Sequence, residues 1–224
     1  MILGLSCFVP AWSAADTPFA NGETLVYEVT WPSGLSLGET HFAARASAAG
    51  WNFEAQINAS LPALEIADVY RSSADAELCS LKLEKKVRHG DRQFDETVTY
   101  NQEKGVANRK PQGGGSESEV AITPCTRDGL AFLYVLRQQM ALGRIPPPED
   151  INFGAQYQIS VTYAESREIE VGGEHVMADR ILVDLTGPAS HHSVEIFFGR
   201  DSARTPLLMR VPFELGVFSL KLVK

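Results

Sequence analysis

The residues in this chain able to carry chemistry are five histidines, three cysteines and a surplus of carboxylates. A metal site needs such donors at set spacings. His191 and His192 are adjacent, so on a strand their rings point to opposite faces. His41, His89 and His175 stand alone in the sequence. All five read as surface residues, and no metal is expected. Gly113-Gly114-Gly115 has no Lys-Ser/Thr after it, so it reads as a linker rather than a phosphate cradle. Glu117 and Glu119 can hold a cation loosely but belong to the same linker region. Two carboxylates meeting across a cleft would make a hydrolase, and sequence spacing does not bring any pair together. No catalytic residue and no cofactor is assigned.

Polar residues at one apolar segment are more informative. Asp128 precedes Leu130–Leu136 and Arg137 follows it. Nine residues apart, they do not pair along one helix. Arg137 suits the helix dipole near the C-terminal end, and a carboxylate on the surrounding sheet or a ligand is its partner. Asp201 and Arg204, in the turn Gly199–Pro206, are candidates for the same polar network. Cys79 and Cys125 form an even pair once Cys7 is set aside. Either they are two buried thiols or they form a disulfide closing a loop of about 46 residues, worth on the order of 4 kcal/mol in the chain-entropy model.

These residues need elements to position them. The segment 126–142 is apolar around most of its helical circumference, the pattern of a buried helix. Thr126 or Asp128 serves as its N-cap, Gly143 as its C-terminal stop, and Pro146-Pro147-Pro148 forces an extended connector. Elsewhere the period is two, as for half-buried strands: Leu25, Tyr27, Val29 and Trp31 share one face, as do Trp51, Phe53, Ala55 and Ile57. His89-Gly90-Asp91 and Val171-Gly172-Gly173-Glu174 mark hairpins. The stretch 111–118 has no periodicity and reads as a mobile loop. The fold expected is mainly β: about ten to twelve antiparallel strands in a curved sheet or incompletely closed barrel packed around one buried helix.

Residues 1–15 are uncharged and mainly apolar, ending Ser13-Ala14-Ala15 before Asp16. They read as the end of a secretory signal peptide without its basic start, leaving 16–224 as one β-rich domain. Export favours the disulfide. Cys7 lacks the leucine expected three residues before a lipidated cysteine. No apolar run reaches a membrane-spanning length. The net charge of -8, with no Lys/Arg stripe, argues against a nucleic-acid partner. The densest basic run, Lys85-Lys86-Val87-Arg88, reads as a solvated strand face.

Asn21–Val29, Asp128–Arg137 and Arg204-Thr205-Pro206-Leu207 together resemble the bacterial domain of unknown function numbered 3108, over about Phe19 to Leu222. The resemblance implies an exported, periplasmic protein of a Gram-negative bacterium with a β-rich fold, and no activity. The reading that follows is a non-catalytic binder or carrier of a lipid or other hydrophobic ligand, lined by Trp31, Phe42, Phe53, Phe132 and Tyr134. Antiparallel sheets curled around a helix suggest this by analogy with periplasmic lipoprotein carriers. The alternative is a structural or assembly factor of the cell envelope, binding another protein through a sheet edge or the 111–118 loop. A hydrolase comes third.

Overall fold

A computed structural model describes residues 17–61, 64–153, 155–188, 190–213 and 216–223. The segment 1–15, expected to be a signal peptide, lies with Cys7 outside the described residues. Strands run β1 (Glu23–Thr30), β2 (Ser36–Ser47), β3 (Gly50–Leu61), β4 (Leu64–Ala74), β5 (Ser80–His89), β6 (Arg92–Asn101), β7 (Val106–Gln112) and β8 (Ser118–Ala121). One helix, α1 (Gly129–Ala141), follows. The chain then continues as β9 (Glu149–Asn152), β10 (Gln156–Val171), β11 (Glu174–Thr186), β12 (His191–Gly199), β13 (Pro206–Phe213) and β14 (Gly216–Leu222).

All fourteen strands form one antiparallel sheet, ordered β8-β7-β6-β5-β4-β3-β2-β1-β14-β13-β12-β11-β10-β9. Short turns make each half a meander. The halves join where the first and last strands pair, Tyr27 opposite Leu222. Both sheet edges therefore come from the middle of the chain, and α1 connects them. One close approach requires a glycine: at Gly38 (φ +148°) an added Cβ would lie 2.1 Å from the Asn58 carbonyl oxygen. The adjoining β1–β2 register shifts between Val29 and Thr30, opposite Gly38 and Ser36.

β8 and β9 do not pair, so the sheet curls without closing. Extended Thr126 and Arg127 span part of the gap: Ser80 N donates to Thr126 O at 3.1 Å and Asn152 N to Arg127 O at 2.9 Å. Side chains clasp the rest. Tyr100 Oη donates to Asn152 O at 2.9 Å, and Lys85 Nζ to Phe153 O at 3.0 Å.

The helix plugs this curl. Phe132, Leu136 and Met140 pack against Ile151, Ile159, Ile181 and Ile196, while Leu130, Ala131, Tyr134 and Val135 pack against Phe53, Ala55 and Leu78. Its end is a Schellman motif: Arg144 N donates to Gln139 O at 2.9 Å and Gly143 N to Met140 O at 3.0 Å, with Gly143 at φ +69°.

The architecture is the one expected, with more strands. β8 is exposed at every position, so burial never imposed a period on it. β9 has four residues after a proline run. β10 is continuous because a bulge between Tyr163 and Glu165 keeps the β10–β11 ladder intact, where the pattern suggests two strands. The helix is shorter than 126–142 because Thr126 and Arg127 serve as sheet contacts. β7 extends to Gln112 and β8 starts at Ser118, so only residues 113–117 link strands in the expected loop.

Candidate functional site

Alternation along the strands decides which side chains look at the helix. In a filled barrel every such side chain would be buried. Here the inward series of β1, β10, β11, β12 and β14 includes Leu25, Val161, Leu185, Val194, Leu220 and Leu222, all only half-buried against the core. Leu133 of α1 is half-buried in the same cluster. On the facing wall the register carries the inward face from Phe53 and Ala55 to Ile57 and Ile66, and on to Val87 and Phe94. Ile57, Ile66 and Val87 are half-buried, and Phe94 is 39% exposed. The concave side of the sheet thus carries inward apolar side chains that are only half-buried, a stretch called the basin below.

One wall of the basin is polar. Asp68, inward on β4, accepts from Arg88 N at 3.0 Å and Tyr70 Oη at 3.3 Å, and His89 Nε2 lies 3.0 Å from it. Burial, with the Asp68 carboxylate beside it, pushes the Tyr70 phenol well up, so it stays a donor. Glu96 sits between two cations, Lys85 Nζ at 2.6 Å and the Arg109 guanidinium. Lys85 also caps the Phe153 ring at 4.6 Å. The basic run is a solvated face only in part: Lys86 is exposed and Arg88 half-buried on the outer side, whereas Lys85 is 7% exposed and points inward. Register puts Lys85 opposite Tyr70 and Glu96, on the helix side.

The expected polar network separates into three. Asp128 N-caps α1, accepting from Leu130 N at 2.9 Å and Ala131 N at 3.1 Å through Oδ1, and from the Ser72 and Ser80 hydroxyls at 2.5 and 2.7 Å through Oδ2. Burial pushes this carboxyl above its ordinary range, against the four hydrogen bonds that favour the ionised form. Arg137, 1% exposed, pairs with Glu23 on β1 and donates to Ala203 O from Nε and Nη2 at 3.2 and 3.1 Å. Arg204 instead reaches Asp179 Oδ2 at 2.8 Å. Asp201 caps its own turn, accepting from Thr205 N and Oγ1. The Ala203 carbonyl is the link from Arg137 to that turn. Cys79 and Cys125 are joined, with Cα atoms 4.7 Å apart.

The five aromatic residues do not share one lining. Phe53 stacks on Tyr134 at 4.0 Å between centroids, and both are core, as is Phe132. Trp31 packs edge-on against Phe218 at 5.0 Å in a separate cluster. Phe42, half-buried and edge-on to Tyr27 at 5.5 Å, lies where the helix clusters meet. Glu23, Asp179 and the Lys85–Glu96–Arg109 group escaped the sequence reading. The available signal was charge at an inward position of a period-two strand, which holds for Asp68, Lys85 and Glu96.

Gly34-Leu35-Ser36-Leu37-Gly38 has the lettering of a nucleophile elbow. It forms the β1–β2 turn, with Ser36 exposed at the start of β2, whereas an elbow joins a strand to a helix. Among the described residues no group of three His, Cys, Asp or Glu side chains is placed to hold a metal, and no helix is long and apolar enough to cross a membrane. His191 and His192 are exposed at the start of β12. Buried Asp68, Glu96, Asp128 and Asp179 are each taken up by cations or hydrogen-bond donors.

A family model described as Protein of unknown function (DUF3108) matches residues 26–223. The fold is similar to the crystal structure of a beta-barrel-like protein of domain of unknown function DUF1849 from Brucella abortus. The match has a TM-score of 0.63 at 10% identity and covers 90% of this chain and 95% of that one. A search of curated proteins finds no match.

Proposed function

Because the chain belongs to the DUF3108 family of proteins of unknown function, which brings no activity with it, we propose its function from geometry: it is a non-catalytic binding protein that holds a lipid or other hydrophobic molecule on the concave face of its open barrel. The observation that carries this is the half-buried ring, with Leu133, Val161, Leu185 and Val194 on one side and Ile57, Val87 and Phe94 on the other. Apolar side chains facing inward yet wetted have a favourable free energy waiting for any apolar occupant.

The magnitudes are adequate for long chains only. Each buried methylene contributes about 0.8 kcal/mol, so about twelve contribute ~10 kcal/mol. Association itself costs on the order of 4–15 kcal/mol, so short chains should not hold. The polar wall of Asp68, Tyr70 and His89 would orient a head group. We place the protein in an oxidising compartment, the periplasm, and the Cys79–Cys125 bond supports that placement.

Native mass spectrometry of gently purified protein tests this reading. Co-purifying lipid, or uptake of added fatty acid at one per chain, is the expected result. Neither, in protein shown to be folded, would overturn it. The edge strand β8 favours a second reading, docking of a protein partner by strand addition, because all four of its residues are exposed. It ranks below the first because short, charged edge strands are also how proteins block such pairing. A pull-down from envelope extracts recovering no stoichiometric partner would remove it.

A further inference from the structure

The outer face of the sheet carries a hollow that the basin does not use. Arg45 stands opposite Asn52, Asn52 opposite Ser73, and Ser73 opposite Lys82, one row across β2 to β5. Alternation puts this row on the convex side, away from Phe53 and Ser72. Two short polar side chains between two long cations leave a cleft of about 320 Å³, walled by Glu54, Arg71 and Glu84 of the next row. Both carboxylates are taken up: Arg71 Nε lies 2.6 Å from Glu54, and Lys82 Nζ of the first row lies 2.5 Å from Glu84.

Arg45 is the exception. It is exposed and makes no hydrogen bond or ion pair with any described residue, although its charge acts on Glu54 from a distance. Three cations against two carboxylates leave the cleft net positive on a chain of net charge -8. A guanidinium fork without a carboxylate of its own, beside the neutral donors Asn52 and Ser73, matches the acceptor-rich edge of a phosphate. Lys82, though paired with Glu84, puts a second positive charge at the other end of the row. At about 30 Å³ per water, the cleft has room for a small polar body attached to the phosphate.

We propose that this outer cleft binds a phosphate monoester or diester, with Arg45 as its principal charge partner. The group can belong to a soluble molecule or to a lipid head group. The site is independent of the concave basin, so neither stands or falls with the other.

The test uses isotope-labelled full-length protein titrated with glycerol 3-phosphate, following the Asn52 side-chain amide and the Ser73 backbone amide by NMR. In parallel, flotation with phosphatidylglycerol vesicles is compared with phosphatidylcholine vesicles. Saturable shifts confined to β2–β5 that Arg45→Ala weakens at least tenfold identify a soluble phosphate. Phosphatidylglycerol flotation that the same variant abolishes identifies a head group. Arg45 is exposed, so the variant should keep the parent melting temperature; should it fail to fold, Ser73→Ala replaces it with the same expected loss. No saturable response to either probe, or an unchanged response in the variant, would overturn the proposal. Fatty-acid binding in the basin should be the same in both proteins.

Discussion

Replacing Asp128 with alanine should be among the most damaging single changes in this protein. The side chain serves two ends of the structure at once. Through Oδ1 it caps α1 on two backbone amides, and through Oδ2 it accepts the hydroxyls of Ser72 on β4 and Ser80 on β5. Loss of an N-cap costs about 1 kcal/mol. Each buried hydroxyl left without an acceptor costs a further ~1–3 kcal/mol, and both serines are almost wholly buried. The sum is about 3–7 kcal/mol. At about 2–4 °C per kcal/mol for a chain of this size, Tm should fall on the order of 10 °C. Urea unfolding followed by tryptophan fluorescence measures it. Ser72→Ala should cost clearly less in the Asp128→Ala background than in the parent, because its acceptor is already gone. A loss under about 1 kcal/mol for Asp128→Ala, a cap-only value, would refute the view that this carboxylate anchors the helix to the sheet.

Three further outcomes follow from the buried contacts. Cys79→Ser/Cys125→Ser, or full reduction, should lower stability by about 4 kcal/mol, since the bond spans a sequence separation of 46; equal urea midpoints with and without reductant would contradict this. Arg137→Met should cost about 3–5 kcal/mol by stranding Glu23. Adding Glu23→Leu should recover part of that loss, and no recovery would show that packing rather than charge is at stake. Burial would raise the Asp179 carboxyl, but hydrogen bonds from Ser166, Arg200 and Arg204 hold it below the usual range. A depressed folded value stabilises above the unfolded value, about 3.9, and that contribution is lost as pH falls through the folded value. Asp179→Asn should therefore narrow the stability gap between pH 7 and pH 3, as read by urea midpoints; an unchanged gap would rule Asp179 out as a source of acid sensitivity.

The overall architecture was legible because burial on one face writes a period-two pattern, as in Leu25, Tyr27, Val29 and Trp31. A helix buried on nearly all sides writes none of the polar stripe a surface helix shows, as in 130–136. What was not legible lacked such a constraint. β8 is exposed throughout, so no pattern marks it. The partner of Arg137 is Glu23, 114 residues away, and nothing local to either residue announces the pairing. Aromatic residues drew attention as ligand contacts by size alone. Phe53 and Tyr134 satisfy each other by stacking, whereas the wetted positions are ordinary aliphatic residues such as Leu185 and Val194. Partial burial of an inward-facing side chain depends on how far the sheet curls, which three-dimensional closure sets and spacing does not record.

The central claim is that the concave face binds apolar chains by burying them. A titration with saturated fatty acids of increasing length, read by isothermal calorimetry at one pH and ionic strength, tests it most directly. At about 0.8 kcal/mol per methylene, affinity should rise up to roughly fourfold with each added carbon until the basin is full. Leu185→Asp, which puts a charge on that face, should abolish the trend while leaving the protein folded. Affinity that does not change with chain length, or that survives Leu185→Asp intact, would contradict the account.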